Sequence, residues 1–268
     1  MTTIPANLVK ELRDQTGAGM MDCKRALEET GGDVEAARVL LRERGMAQAA
    51  KRAGRETTEG KVGYRVADDH GTIVALACET DFVADNPEFL EFAKQLFEAV
   101  DARGPQAAEE LEDERTALVS KLGENIVVAG AERLERGEGE TIGGYAHPPA
   151  NKIGVLVTIR GGSEEAARRL AMHIAAAAPS WVRREDVRPD LVEAERELLL
   201  RSDELEGKPE QARDKIVEGM LNKRFFAAYP GGVLLEQPWI HDSGLTVGQA
   251  LEGEGSDVVQ FVRYALGE

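Results

Sequence analysis

Cysteine is scarce here: Cys23 and Cys78 are the only two in 268 residues, and they fall in different predicted elements. Two thiols cannot supply the four ligands of a structural zinc site, and in a reducing compartment they are not expected to pair. Both read as small buried hydrophobes. Long apolar runs are also missing. None approaches the ~18 residues needed to span a bilayer, and the opening Met1-Thr-Thr-Ile-Pro5 lacks the basic and apolar regions of a secretory leader. The expected location is therefore the cytoplasm, with no membrane partner. Positive charge is in deficit, with 33 Lys/Arg against 49 Asp/Glu and a net charge of −16. That argues against direct nucleic-acid binding, because neutralising phosphates needs clustered cations.

Familiar catalytic patterns are absent as well: the chain has no G-x-S-x-G, H-E-x-x-H, C-x-x-C or G-x-G-x-x-G. Gly54–Lys61 resembles a phosphate-binding loop, but five residues separate its glycines and Val62 stands where a Ser or Thr would hold magnesium. The four histidines, His70, His147, His173 and His241, show no ligand spacing. With 49 carboxylates any pair could be named acid and base, so an acid–base hydrolase has no specific support. Two carboxylates in one pocket, one with a raised pKa, would revive it. No cofactor or metal is expected.

What is present is uneven charge and a modular pattern. Residues 1–55 hold ten basic and eight acidic residues, leaving 23 and 41 for the remainder, so the first stretch has a surface character of its own. It reads as three short helices. Ile4, Leu8, Val9 and Leu12 share one face after Pro5. Gly17-Ala-Gly19 breaks the pattern before a helix marked by Met20, Cys23 and Leu27. Asp33 caps a third helix, with Val34, Ala37 and Leu41 inward and Gly45 as its stop. The basic stretch Lys51–Arg55 and the residues to Gly60 read as a linker, solvated rather than RNA-binding.

The rest carries a weak internal repeat of about 80 residues, too long for a solenoid unit. One copy has Gly63-Tyr64, the apolar strand 71–79 and a helix from Asn86-Pro87 to Val100. The other has Gly144-Tyr145, the strand 154–159 and a helix from Ser163 to Ala178. The strands do not alternate polar with apolar, so both faces are expected to be buried. Two related α+β subdomains with small, mainly antiparallel sheets follow from this. Leu191, Leu198 and Leu205 recur every seven residues, Gly207-Lys-Pro209 turns the chain, and Ala212, Ile216, Met220 and Lys223 return. This predicts an inserted antiparallel helical hairpin that projects from the body. The chain then re-enters a sheet at 233–235 and 238–240, forms a short helix from the capping box Thr246-x-x-Gln249, and ends in the strand 258–264.

Two segments stand out. Thr80-Asp81-Phe82-Val83 lies between a buried strand and a helix opened by Asn86-Pro87, where a large aromatic either folds back on its own core or awaits a partner. Pattern alone favours the core, although Phe89, Leu90, Phe92, Leu96 and Phe97 already provide apolar bulk there. In Thr16-Gly-Ala-Gly-Met20-Met21 the two thioethers cannot both enter so small a bundle. Either one caps the core and the other is incidental, or they meet a partner.

These residues carry a resemblance. Thr16–Arg25 (TGAGMMDCKR), Gly32-Asp33, Cys78–Val83 (CETDFV), Lys121–Asn125 (KLGEN), Gly154–Val157 (GVLV), Met172–Ala176 (MHIAA) and Thr246–Gln249 (TVGQ) are together similar to the bacterial elongation factor Ts family, in order from residue 3 to residue 267. The resemblance implies an α+β protein with an N-terminal ubiquitin-associated-like three-helix docking domain (1–54), two core subdomains (55–140 and 141–268) and a hairpin insertion (187–229). It implies a non-enzymatic guanine-nucleotide exchange factor of translation elongation. Such a factor binds the GTPase elongation factor Tu in its GDP form, disturbs the magnesium and phosphate site, and is displaced by GTP. The partner is expected in a heterodimer, with further pairing left open.

By the same likeness Arg13, Met20, Met21 and Lys24 belong at the contact with the partner's GTPase domain. Asp81 and Phe82 match the residues that intrude near the partner's magnesium site, with Thr80 and Val83 completing the motif. Leu122, Gly123 and His147 match other contact positions, and Ile240 matches more weakly. Some members extend past the last strand into a further helical module. This sequence stops at Gly267-Glu268, so contacts of that module are not carried over. The alternative from another class is a polypeptide-binding adaptor built on the three-helix domain.

Overall fold

The computed structural model describes residues 4–268; residues 1–3, part of the segment read above for a secretory leader, lie outside it. Among the described residues no helix is long and apolar enough to cross a membrane.

Three helices come first: α1 (Ala6–Thr16), α2 (Met20–Glu29) and α3 (Val34–Arg52). Their small core is Val9, Leu12, Cys23, Ala26, Leu27 and Ala37. Asp33 caps α3 by accepting the Ala36 N–H at 3.0 Å. The expected stop at Gly45 does not occur. Gly45 is buried inside α3, and a Cβ there would lie 3.2 Å from the Ser120 hydroxyl. It permits close approach of two helices rather than termination, and the alanine-rich tail beyond it favours continued helix. The basic stretch is less of a linker than expected. Lys51 and Arg52 finish α3, the Arg52 guanidinium donates to the Val119 carbonyl (3.5 Å), and Arg55 sits 3.3 Å from the Glu79 carboxylate.

The body follows as β1 (Glu59–Val66), β2 (His70–Cys78), α4 (Asp81–Ala84), α5 (Pro87–Arg103), a 3-10 turn (Pro105–Leu111), α6 (Glu112–Leu122) and β3 (Ile126–Glu135). Next come β4 (Glu140–Ala146), β5 (Ile153–Arg160), α7 (Glu164–Ala177), α8 (Pro189–Leu200), α9 (Glu210–Leu221), β6 (Pro238–Trp239), β7 (Asp242–Thr246), α10 (Val247–Gly253) and β8 (Asp257–Ala265). Two three-stranded antiparallel sheets result, ordered β1-β2-β3 and β4-β5-β8, each with its apolar strand in the centre.

The lack of alternation in β2 and β5 now has its cause. Ile73, Ala75 and Ala77 point into the space between the sheets, where Leu156, Ile142 and Val62 meet them. Val74, Leu76 and Cys78 point the other way, against Phe89, Phe92 and Leu96 of α5 and Val119 of α6. In the second sheet Val155, Val157 and Ile159 pack on Ala167, Leu170 and Ile174 of α7. The layers run helix, sheet, sheet, helix, and the strand period of two is hidden because both faces are apolar.

The hairpin of α8 and α9 has its own cluster of Leu199, Leu205, Val217, Met220, Leu221 and Phe226. The seven-residue reading placed Leu198 on that seam, but Leu198 is 63% exposed and Leu199 takes the inward position. Lys223 is likewise exposed, and residues 222–226 form a wide π turn that shifts the register. Residues 233–235 are not a strand. Val233 makes a single parallel bridge to Trp181, and a 3-10 turn occupies Leu234–Glu236.

Candidate functional site

Leaving β2, the chain makes one turn of helix and places Phe82 on the surface. The Thr80 hydroxyl accepts the Val83 N–H at 3.4 Å and so caps α4. The inward positions of that turn go to Val83 and Ala84, which join the cluster beneath α5. Phe82 is therefore turned outward and is 86% exposed, so the core placement favoured by pattern alone is wrong. Asp81 is exposed beside it, and its carboxylate accepts the Phe82 N–H at 3.0 Å. Beneath the tip the Cys78 S–H donates to the Thr80 carbonyl at 3.2 Å. Burial pushes its thiol up to about 12, so it stays neutral.

A second segment closes on the tip from the end of α6. Gly123 takes the left-handed position that ends α6 (φ 79°). Glu124 then accepts hydrogen bonds from the N–H groups of Glu79 (3.2 Å) and Thr80 (3.0 Å) and from the Thr80 hydroxyl (2.6 Å). In return the Asn125 N–H donates to Glu79 at 2.6 Å. Leu122 and Gly123 are thereby brought beside Thr80–Val83, 40 residues away in sequence, as one surface.

The helical unit meets the same element. Gly17, left-handed at the end of α1 (φ 68°), lies so near the Lys121 side chain that a Cβ there would be 3.1 Å from it. Lys121 in turn pairs with Glu88 at 2.8 Å, and Arg42 pairs with Asp113. A cavity of about 270 Å³ lies between the units, lined by Thr16, Ala18, Arg42, Gly45, Ser120 and Lys121 among others. Met20 and Met21 are 47% and 61% exposed, and neither caps the core. Helical side chains lean toward the N-terminus, so those in the first turn of α2 overhang the bundle. Met20 and Lys24 stand four residues apart on one exposed face. Arg13 is exposed in the last turn of α1, just before the Gly17 turn.

His147 lies just past the end of β4, and Ile240 in the turn between the short paired strands β6 and β7. They line a groove of about 290 Å³ with Tyr145, Ile153 and Met172, and the Tyr145 hydroxyl is 2.9 Å from His147 Nδ1. Behind it His173 is buried in α7. Gln237 spends its amide N–H groups on the carbonyls of Ala177, Ala228 and Gly231, so its oxygen accepts from His173 Nε2 (3.0 Å), leaving Nδ1 to accept the Ile240 N–H (3.4 Å). Burial pushes His173 down to about 4, so the ring is neutral. The twelve expected residues thus fall into three groups: the tip, the helical turn against α6, and the groove on the second sheet.

Sequence reasoning missed Glu124 and the His173–Gln237 pair. The signal for His173 was legible as a lone histidine in an alanine-rich helix face. Glu124 stands inside the quoted Lys121–Asn125 motif, but nothing local shows its role, because its partners are 44 and 45 residues away. Among the described residues no group of three or more His, Cys, Asp or Glu is placed to hold a metal. The exposed surface carries a ring and a carboxylate side by side.

The family model described as Elongation factor TS matches residues 79–268. A relative named Elongation factor Ts from Idiomarina loihiensis is 43% identical over 276 residues, covering 99% of this chain and 91% of its own. Relatives of the same name from Thioalkalivibrio sulfidiphilus (43%, 99% of this chain and 93% of its own) and Serratia proteamaculans (41%, 100% and 93%) are similar over the same extent.

Proposed function

The chain belongs to the elongation factor Ts family of translation elongation factors, and on that premise we propose that it is a guanine-nucleotide exchange factor for elongation factor Tu. It binds the GDP form of that GTPase, loosens the nucleotide, and is displaced by GTP. It performs no covalent chemistry, acts in the cytoplasm, and pairs with its partner one to one. We propose the same division of labour as the domain limits above: residues 1–54 dock, the core from 55 to 140 carries the lever, and residues 141–268 supply a second contact.

The observation that carries the reading is the 86% exposure of Phe82 at a strand-to-helix turn, with the exposed Asp81 beside it. An exchange factor must bind best to the partner conformation that holds nucleotide worst. Burying the Phe82 ring in a crevice open only in that conformation supplies ~1.5–3 kcal/mol of preference. Asp81 places negative charge near the magnesium and phosphate groups, which disfavours retained nucleotide. The effect is reciprocal: whatever ratio this chain takes from GDP affinity, GDP takes from this chain's affinity. Arg13, Met20, Met21 and Lys24 hold the GTPase domain, Leu122 and Gly123 extend the tip contact, and His147 with Ile240 forms the second.

Stopped-flow release of a fluorescent GDP from elongation factor Tu tests the lever. Phe82→Ala is expected to lower the maximal stimulated rate about ten- to hundredfold. Its melting temperature should match the parent, because the ring leaves no core contact behind. An unchanged release rate would remove Phe82 from the mechanism.

A further inference from the structure

Glu79 and Thr80 lie one and two residues past the end of β2, where Cys78 makes the last ladder pairs, with Glu59 and with Ile126. Their N–H groups have no strand partner beyond that point and need another acceptor. Both are taken by one carboxylate, Glu124 Oε2, while Oε1 accepts the Thr80 hydroxyl proton. That third bond has a consequence for the tip. A hydroxyl has one proton, and once it is committed to Glu124 the oxygen's lone pairs face the other way, toward the Val83 N–H they cap. Glu124 thus orients the cap that starts α4, and α4 sets the direction of Phe82. The reciprocal bond from the Asn125 N–H to Glu79, and the Asn125 side-chain N–H to the Arg55 carbonyl (2.9 Å), keep Glu124 itself in place.

We propose that Glu124 is a positioning residue for exchange: it acts through Thr80 to hold the Phe82 turn at the angle that enters the partner. The inference rests on the lever reading above. Charge-assisted hydrogen bonds are the strong ones, and three on one half-buried carboxylate stiffen a turn that otherwise consists of a single helical turn. A stiff mount lets the partner's opening, rather than the ordering of the tip, absorb the binding energy.

Glu124→Gln tests this in the full chain. The amide keeps the size of the side chain but presents a donor to a group of donors, so the Thr80 hydroxyl can no longer hold its orientation. Hydrogen exchange of residues 79–84 should quicken in the free protein. The maximal rate of stimulated GDP release should fall about tenfold, while the half-saturating concentration changes by less than about twofold. The double variant Phe82→Ala/Glu124→Gln should be no slower than Phe82→Ala alone, since a misdirected alanine has nothing further to lose. A merely structural role would raise the half-saturating concentration as well as lower the maximal rate, and would add to the Phe82 loss. Thr80→Val, which removes the hydroxyl at nearly constant size, should reproduce the rate loss and serves if the glutamine variant does not fold. A full maximal rate in Glu124→Gln or Thr80→Val, unaltered exchange at 79–84, or additive losses in the double variant would overturn the inference. If Phe82→Ala itself releases GDP at the parental rate, the lever reading falls instead.

Discussion

His173 couples stability to pH through one side chain. Its ring is fully buried, donating to Gln237 and accepting from the Ile240 N–H, and burial lowers it from 6.5 to about 4. The folded state keeps it neutral while the unfolded chain takes up a proton below the ordinary value. The unfolded state therefore binds more protons between those limits. Stability is full above about pH 6.5 and declines as pH falls toward 4, by up to ~1.4 kcal/mol per pH unit and ~3 kcal/mol in all. Urea denaturation at pH 6.5, 5.75 and 5 should show this slope in the parent chain and lose it in His173→Asn, whatever the variant's absolute stability. The lowered carboxylates Glu29, Asp69, Asp101, Glu112, Glu204 and Glu268 start from values of 4.5 or less. They lose their stabilising charge at still lower pH and leave this window to the histidine. Equal slopes in the two proteins would mean that the ring is already protonated in the fold.

At the scale of elements, what the sequence made legible depended on how local the cause was. Caps formed by neighbours were readable: Asp33, Asn86, Ser163 and the Thr246–Gln249 box all act where expected. The apolar strands were readable too, because burial on two faces leaves a simple composition. Errors arose where a distant surface chose between local options. Gly45 looks like a helix stop until Ser120 of α6 is brought against it. Leu198 and Leu199 are equivalent in sequence until the packing of α9 selects the second. For Phe82, two small apolar neighbours, Val83 and Ala84, took the core positions and left the ring outside. The three groups of candidate residues were named from motif likeness, but nothing local joined the tip to Leu122 and Gly123; the Glu124 bonds did. The overhanging thioethers of α2 give a prediction at this scale. Met20→Ser/Met21→Ser removes apolar contact without touching the bundle core, and is cleaner than deleting the helices, because α3 also covers α6. The half-saturating concentration in the GDP-release assay should rise about tenfold with the maximal rate nearly unchanged. A loss confined to the maximal rate would place these methionines at the lever rather than at the docking surface.

Across the whole molecule the Phe82 turn follows a strand of the first sheet and the His147 groove is lined from the second, so their spacing depends on how the sheets meet. They meet through reciprocal notches. Tyr64 of the first sheet lies over Gly144 of the second, where a Cβ would be 2.3 Å from its ring, and Tyr264 of the second lies over Gly130 of the first at the same 2.3 Å. Between these notches Val62, Ile73, Leu156 and Ile142 fill the interface. Each notch admits an aromatic ring only because a side chain is missing opposite it, and an aromatic ring cannot fold away as the end of a lysine could. Gly144→Ala should therefore displace Tyr64 and strain the sheet pairing, costing about 1–3 kcal/mol in urea denaturation. The variant also separates two accounts of how the contacts cooperate. If a fixed spacing of tip and groove is required, Gly144→Ala should slow stimulated GDP release even at temperatures where it is fully folded, and pairing it with Tyr64→Leu, which vacates the notch, should restore both stability and rate in part. If the contacts act independently, stability will fall and the maximal rate of the folded protein will not, and the sheet interface then serves only to keep the chain folded.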